Sequence, residues 1–563
     1  MHIVLARLAP ERALAVELDD GGVELGSHEI GADGLGGFVR EAETRRPRWV
    51  WNDTRTWYPG LLAHGVRVDR CVDLALSHRI LRLSTLSARS ALALAPPSEW
   101  DALPALDEAA AVATALFDLE SDLAEPDLVP DRSSTLTEFR LQQDAVAASP
   151  EPGRLRLLLA AESAGALIAA EMQYAGLPWR SDRHDALLSE MLGPRPIPGA
   201  RPAKLEALAG EVRAALDAPS LNPDSQAELM RSLRRSGLVV TSTRSWELKK
   251  IDHPVIRPLL EYKKLSRLAS ANGWTWMDSW IRDGRFHPDY IPGGVVTGRW
   301  ATRGGGALQL PRQVRGAVVA DAGWKLVVAD AAQLEPRILT GMSADTAMAA
   351  AGRGKDLYEG IVASGAVDER AHAKVAMLGA MYGATTGESG RLMPRLARAF
   401  PRAIRLVEDA ARAGERGDVV TSRLGRSSPR PGAAWLQTQG SASAPDSTEA
   451  DERRARSQAR DWGRFTRNFV VQASAAEWAL CWMAELRKRL GAMTPPGARM
   501  EEGPHLVYFL HDEVIVHAPD DVAEAVAITV AEAAREAGRL LFGTFPVEFP
   551  VTTAVVDTYA EAK

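Results

Sequence analysis

The chain has 563 residues, 46% of them hydrophobic and 25% charged, a composition that excludes disorder along its whole length and suffices for about three to five structural units. Its 67 basic and 73 acidic residues leave a formal charge of −6, which excludes a uniformly basic, histone-like protein but not a basic groove on an acidic body. Two cysteines, Cys71 and Cys481, rule out a disulfide scaffold and fit a reducing, cytoplasmic home.

Taken in chain order, HIVLA and ALAVEL read as strands and WVWNDTRTWYPGLLAHG as a strand leading into a helix, the start of a mixed α/β unit. No apolar run of secretory length opens the chain, and none approaches the roughly 18 residues of a membrane span. Polar, Pro-rich text (LESDLAEPDLVPDRSS, then AASPEPG) marks a boundary near residue 153. Helical periodicity follows to about residue 280, in LRLLLAAESAGALIAAEMQYAG, KLEALAGEVRAALDA and HPVIRPLLEYKKLSRLASANGW. Strands and Gly-rich turns occupy 281–345, and helices return from 346. The segment 429–460, PRPGAAWLQTQGSASAPDSTEADERRARSQAR, is expected to be a mobile surface insertion, too polar to bury the apolar area that ordering needs. From 462 the order is helix, hairpin, helix, strand.

Four constellations carry chemistry, and each has a bland counterpart. In WKLVVADAAQLEPRIL a buried strand ends at Asp330, placed either to hold a metal from a rigid base or to cap the next helix. In LVYFLHDEVIVHAP two strand-like runs flank His511, Asp512 and Glu513; carboxylates this close call for a cation, unless the turn is simply solvated. In ERAHAKVAMLGAMYGA the row Arg370, Lys374, Leu378, Tyr382 shares one helix face, suited to a triphosphate at one end and a base at the other, or to a solvated basic face. In RFTRNFVVQASAAEWAL the row Arg464, Asn468, Gln472 can read minor-groove acceptors or form an ordinary polar face.

Together, in this order, these segments resemble the polymerase domain of family A DNA polymerases, the DNA polymerase I type. DAAQLEPRI keeps the Asp, Gln, Glu, Arg and Ile of the family's D-Y-S-Q-I-E-L-R-I, RAHAKVAMLGAMYG follows R-x-x-x-K-x-x-x-F-G-x-x-Y-G, and the H-D-E triplet is complete. VVTGRWAT, VVTSRLGR, RNFVVQASAAE and LEYKKLSRL resemble further family segments, over about residues 155–563.

The resemblance implies an α/β multidomain fold, a right hand of palm, fingers and thumb preceded by an RNase H-like, exonuclease-type domain. The implied boundaries are 1–153 for a degenerate 3′–5′ exonuclease-like domain, 154–280 for the thumb and its leading helices, 281–345 and 462–563 for the palm, and 346–461 for the fingers. It implies a template-directed DNA polymerase of repair or replication gap filling, a nucleoid-associated monomer with primer–template DNA and dNTPs as partners. Asp330 and Asp512, with the backbone carbonyl of Ala331, would hold two Mg²⁺ ions (Mn²⁺ able to substitute), and Glu513 would support them. Arg370 and Lys374 would hold the triphosphate, with Lys374 a candidate proton donor to the leaving group. Leu378, Tyr382, Gln333 and Glu335 would surround the nucleotide, Glu335 as the steric gate against a 2′-OH. Arg299, Gln472 and His511 would meet the primer end and minor groove, and Arg464 and Asn468 the template side.

Departures from the pattern are specific. Leu378 stands where the family has Phe or Tyr, Ala331 and Ala332 replace Tyr and Ser, and LQLPRQVRG shortens a Q-N-I-P loop. The N-terminal stretch WNDTRTWYPGLLAHGVRVDRCVDL faintly resembles the family's exonuclease, yet the first strands lack its D-x-E pair. The sole D-x-E before residue 150 is Asp118–Glu120, and Asp19, Asp20, Asp53 and Asp73 do not reproduce the spacing. The expectation is a platform that does not hydrolyse 3′ ends, with no room in this length for a 5′-nuclease domain. The alternatives are a bifunctional polymerase with an active exonuclease, a catalytically weak DNA-binding relative, a metal nuclease based on the N-terminal domain, and a single-subunit RNA polymerase. The last is opposed by a carboxylate at Glu335.

Overall fold

Aliphatic runs that suit a buried pleated surface form the first sheet of the computed structural model, which describes residues 1–9, 11–101, 131–197, 199–304, 306–383 and 387–562. Asp118 and Glu120 lie outside these residues. Strands β1 (His2–Ala9), β2 (Arg12–Leu18), β3 (Glu24–Gly31), β4 (Arg48–Trp51) and β5 (Cys71–Asp73) take the order β3-β2-β1-β4-β5. The first three pair antiparallel, and β4 and β5 add in parallel. Ile3, Val4, Trp49, Val50 and Trp51 are fully buried between the layers.

Two helices leave this sheet from capping aspartates. Asp53 accepts the Arg55 N–H at 2.7 Å and starts α1 (Thr54–Ala63). Asp73 accepts the Leu76 N–H at 3.0 Å and starts α2 (Leu74–Leu83); its other oxygen accepts the backbone N–H and hydroxyl of Thr54 at 2.8 and 2.7 Å. Asp19 accepts from Gly21 and Val23 in the turn between β2 and β3, and Asp20 pairs with the terminal ammonium. These four aspartates are thus tied into local structure.

The 24-residue α3 (Pro152–Ala175) is apolar on every side and correspondingly buried. It packs against α1 and β5, so it belongs with the N-terminal sheet rather than with the helices that follow it in sequence. Contacts divide the chain into a larger unit, Met1–Ala175 with Asp289–Gly304 and Gly323–Val555, and a smaller one, Gly176–Pro288 with Gly305–Ala322 and Val556–Lys563. The smaller unit is mainly helical, with Val212, Leu216, Leu229, Leu233 and Leu259 in its core. LEYKKLSRL lies on its helix Ile256–Asn272.

In the larger unit, β6 (Trp324–Ala331) is followed by α4 (Leu334–Ser343), α5 (Leu357–Ala363), α6 (Arg370–Tyr382), α7 (Pro401–Glu415), α8 (Ala433–Ala442) and the 45-residue α9 (Glu449–Met493). The hairpin β7 (His505–Leu510) and β8 (Glu513–Pro519), then α10 (Ala523–Phe542) and β9 (Val551–Val556), complete it. The second sheet has the order β7-β8-β6-β9. The segment 429–460 departs from expectation, because it is helical over α8 and the first turns of α9. Local interactions stand in for burial there. Thr448 and Asp451 form a capping box, Glu449–Arg453 and Glu452–Arg456 pair at i,i+4, and Gln439 donates to the Ala455 carbonyl at 3.0 Å. Helix α8 itself buries no residue.

Buried ions join distant segments of this unit. Arg487 on α9 donates to Glu171 on α3 at 2.7 Å, and Tyr58 and Arg67 donate to the same carboxylate at 2.6 and 3.0 Å. Burial would raise the Glu171 carboxyl, but the charges of Arg487 and Arg67 outweigh it and hold it down to about 2. At Glu477 the hydrogen bonds and the Arg426 charge fall short of offsetting burial. It is fully buried, accepts from the Ser422 hydroxyl and the Leu424 N–H, and burial pushes it up to about 7 from an ordinary 4.5.

A carboxyl raised in the folded state binds its extra proton between those two values, so its contribution to stability declines as pH rises through the window. Glu477→Gln should therefore gain in Tm relative to wild type between about pH 4.5 and 7. Thermal melts at several pH values check this, and a constant Tm difference would refute it.

Candidate active site

Strand register builds the centre of the site. Strands β6 and β8 pair antiparallel with Asp330 directly opposite Glu513, and the Ala331 N–H donates to the Asp512 carbonyl at 2.9 Å. Three acids from two distant segments therefore share one strand end. Glu513 is buried, whereas Asp330 and Asp512 are partly open. The turn that presents them is strained. His511 has φ 58°, and across it the Asp512 N–H donates to the Leu510 carbonyl at 2.7 Å, the bond of a tight γ-turn. Gln333, at the mouth of α4, has φ 50°. Left-handed conformations at non-glycine residues persist where surrounding structure imposes them, often beside reacting groups.

Among the described residues no group of three or more His, Cys, Asp or Glu forms a ready-made metal centre. The strand ends instead offer two accessible carboxylates, a neighbouring backbone and a buried third acid. Such a partial oxygen set suits Mg²⁺, which takes one or two carboxylates and fills its octahedron with water and substrate phosphates.

Glu335 is the hub of a second cluster. It lies in the first turn of α4, where it pairs with Arg299 and accepts the Tyr382 hydroxyl at 2.8 Å. Gln472 on α9, nearly fully buried, lies close to the same Tyr382 hydroxyl. Burial first, then the Glu335 charge, pushes the Tyr382 phenol up to about 12. His511 reaches the surface, yet the protein mass around the tip desolvates it, and with the Arg299 charge this lowers its imidazole to about 4. It is neutral at physiological pH.

A third cluster surrounds Arg370, the first residue of α6, which pairs with Asp356 at 2.8 Å. Gln333 donates to the same Asp356 oxygen at 3.1 Å, and the Tyr358 ring lies 5.6 Å from the Arg370 guanidinium. One turn on, Lys374 is exposed with no ion-pair partner among the described residues, and Leu378 is half-buried. Tyr382 closes the row, and Gly383 (φ 74°) ends the helix. A Cβ at Gly383 would sit 2.9 Å from the Arg464 side chain, so this glycine is needed for both its dihedral and the close approach. Arg464 also pairs with Asp461, and the Asn468 side-chain oxygen is buried with no hydrogen-bond partner among the described residues.

The predicted residues thus fall into linked clusters, with Arg464 and Asn468 on the adjoining stretch of α9. Sequence reasoning missed Asp356 and Tyr358. In KDLYEG the aspartate reads only as a helix cap three residues before a glutamate, which it also is.

The DNA polymerase family A model matches residues 203–561. The chain is 27% identical over 352 residues to the thermostable DNA polymerase I of Thermus aquaticus, covering 57% of this chain and 38% of that one. It is 28% identical over 338 residues to DNA polymerase I of Chloroflexus aurantiacus, covering 54% and 33%. It spans well under half the length of these relatives. The solved POL domain of Pol1 from M. smegmatis, in complex with DNA primer-template and dNTP, superposes with a TM-score of 0.66 at 18% identity over 98% of this chain and 93% of that one. The solved structure shares the fold, and the family model matches well over half of the residues: the chain belongs to DNA polymerase family A.

Proposed function

We propose that the chain is a template-directed DNA polymerase that joins dNTPs to a primer 3′-OH, using two Mg²⁺ ions for which Mn²⁺ can substitute. The observation that carries this is the β6–β8 register, which sets Asp330 and Asp512 at one strand end. The Glu335–Tyr382 bond ties that end to the cationic row of α6. The sheet of β6 to β9 serves as palm, the helices from α5 to the start of α9 as fingers, and the smaller unit as thumb.

Asp330, Asp512 and the Ala331 carbonyl would hold the ions, with Glu513 keeping the strand end in place. When bound, divalent metal lowers the pKa of the attacking hydroxyl and neutralises the departing pyrophosphate. Arg370 and Lys374 bind the triphosphate through charge-assisted hydrogen bonds, and Lys374 delivers a proton to the leaving oxygen. Gln333 and Leu378 border the nucleotide, and Tyr382 flanks the templating position. Glu335, held from two sides by Arg299 and Tyr382, is a rigid gate where a ribose 2′-OH would fall. Neutral His511 can both donate and accept a hydrogen bond at the primer end, while Arg299 and Gln472 contact the minor groove and Arg464 and Asn468 the template side. The strand order β3-β2-β1-β4-β5 supports an exonuclease-type ancestry for the N-terminal sheet, but Asp53 and Asp73 serve as helix caps. This sheet acts as a platform.

Three assays test the reading. Primer extension with Mg²⁺ should fall by at least about a hundredfold in Asp330→Ala and in Asp512→Ala while primer–template binding persists; wild-type extension by either would sink it. Glu335→Ala should raise ribonucleotide incorporation relative to deoxynucleotide by roughly tenfold or more, and an unchanged ratio would remove Glu335 as the gate. A labelled mismatched primer incubated with metal and no dNTPs should keep its length. Shortening that survives Asp330→Ala but stops with Asp53→Ala or Asp73→Ala would make the enzyme bifunctional.

A further inference from the structure

Asp356 caps α5, and a cap needs only one oxygen. Its Oδ1 accepts the Glu359 N–H at 3.0 Å. The other oxygen, Oδ2, accepts from Arg370 Nη2 at 2.8 Å and from Gln333 Nε2 at 3.1 Å. Gln333 is itself immobilised, since its Oε1 accepts the Leu357 N–H at 3.3 Å and Arg337 Nη2 at 3.2 Å. Arg337 is buried and also donates to the carbonyls of Ala332, Gly352 and Lys355. The position of Oδ2 is therefore set by the turn that follows Asp330.

Arg370 is the opposite case. It is the first residue of its helix, its side chain is 53% exposed, and its remaining N–H groups have no protein partner among the described residues. Without Asp356 and the Tyr358 ring beside it, so long a side chain would lose many rotamers on meeting an anion. The carboxylate also subtracts charge, but that cost is screened because Arg370 is half in water. Lys374, one turn along, has no ion-pair partner among the described residues. Orientation outweighs the lost charge.

We infer that Asp356 is a positioning residue for the incoming nucleotide, holding Arg370 in one orientation so that the triphosphate meets a preset guanidinium fork. The inference rests on the proposed role of Arg370 in phosphate binding. It differs from a purely structural role because the cap and the Arg370 contact use different oxygens of one carboxylate.

Single-nucleotide incorporation on a primer–template with Mg²⁺, using the full chain, separates the two roles. Asn caps helices as well as Asp does, so Asp356→Asn should melt with wild type while losing the charged contact. Its KM for dNTP should rise about five- to tenfold with kcat within about twofold. Arg370→Ala should raise KM at least as much, and the double variant should be no worse than Arg370→Ala alone, because both remove one interaction. If Asp356→Asn melts early, Asp356→Ser, which also caps, is held to the same criterion. An unchanged or lower KM in the capping-competent variant, or full additivity in the double, overturns the inference and leaves Arg370 in place as a phosphate ligand. An unchanged KM in Arg370→Ala overturns the phosphate-binding reading and the inference together.

Discussion

The antiparallel pairing of β6 with β8 is the constraint on which the site rests. It sets Asp330 opposite Glu513 and places Asp512 at the same end through the Ala331 N–H. Side chains alternate along a strand, so a slip of one residue would turn the acids to the other face. Nothing local enforces that register. The enforcement comes from burial, because Leu326 to Ala329 on β6 and Val514 to Val516 on β8 are all but fully excluded from water. The left-handed His511 is imposed on the turn by the pairing of β7 with β8, since Leu510 and Glu513 must oppose each other with only two residues between them.

From that strand end the polar contacts run outward in order. The chain leaves β6, turns through the left-handed Gln333 and starts α4, whose first turn carries Glu335 to Arg299 and Tyr382. Gln333 reaches the other way, to Asp356 and thence Arg370. Two residues of one helical turn thus address both ends of α6. Charges in the other two clusters are compensated, Arg299 by Glu335 and Arg370 by Asp356. Lys374 is exposed and has no ion-pair partner among the described residues.

The N-terminal sheet joins this machinery through buried ions as well as apolar packing. Glu171 on α3, Arg487 on α9 and Tyr58 on α1 meet in the interior. Removing one partner of a buried pair typically costs about 3–5 kcal/mol, because the other charge is stranded. Glu162 and Arg426 form a second such pair. In the N-terminal unit Asp53 and Asp73 cap helices, Asp19 accepts in a turn and Asp20 pairs with the terminal ammonium.

The order of elements and the residue types at the site were legible in the amino-acid text. Strand runs, helical periodicity and four short motifs each depend on neighbours a few positions apart, and such local spacing is what a sequence displays. Leucine in place of an aromatic at 378 and the missing D-x-E pair were equally visible. The placement of α3 with the N-terminal sheet was not, because its all-round hydrophobicity says that it is buried without saying against what. Segment 429–460 misled because its composition hides a capping box and i,i+4 pairs that stabilise a helix without a core. Asp356 looked like an ordinary cap, and its second oxygen acquires meaning only when α5 and α6 fold together. Register, ion pairing and shared hydrogen-bond acceptors join residues far apart in the chain, and those long-range contacts exist only once the apolar surfaces have packed.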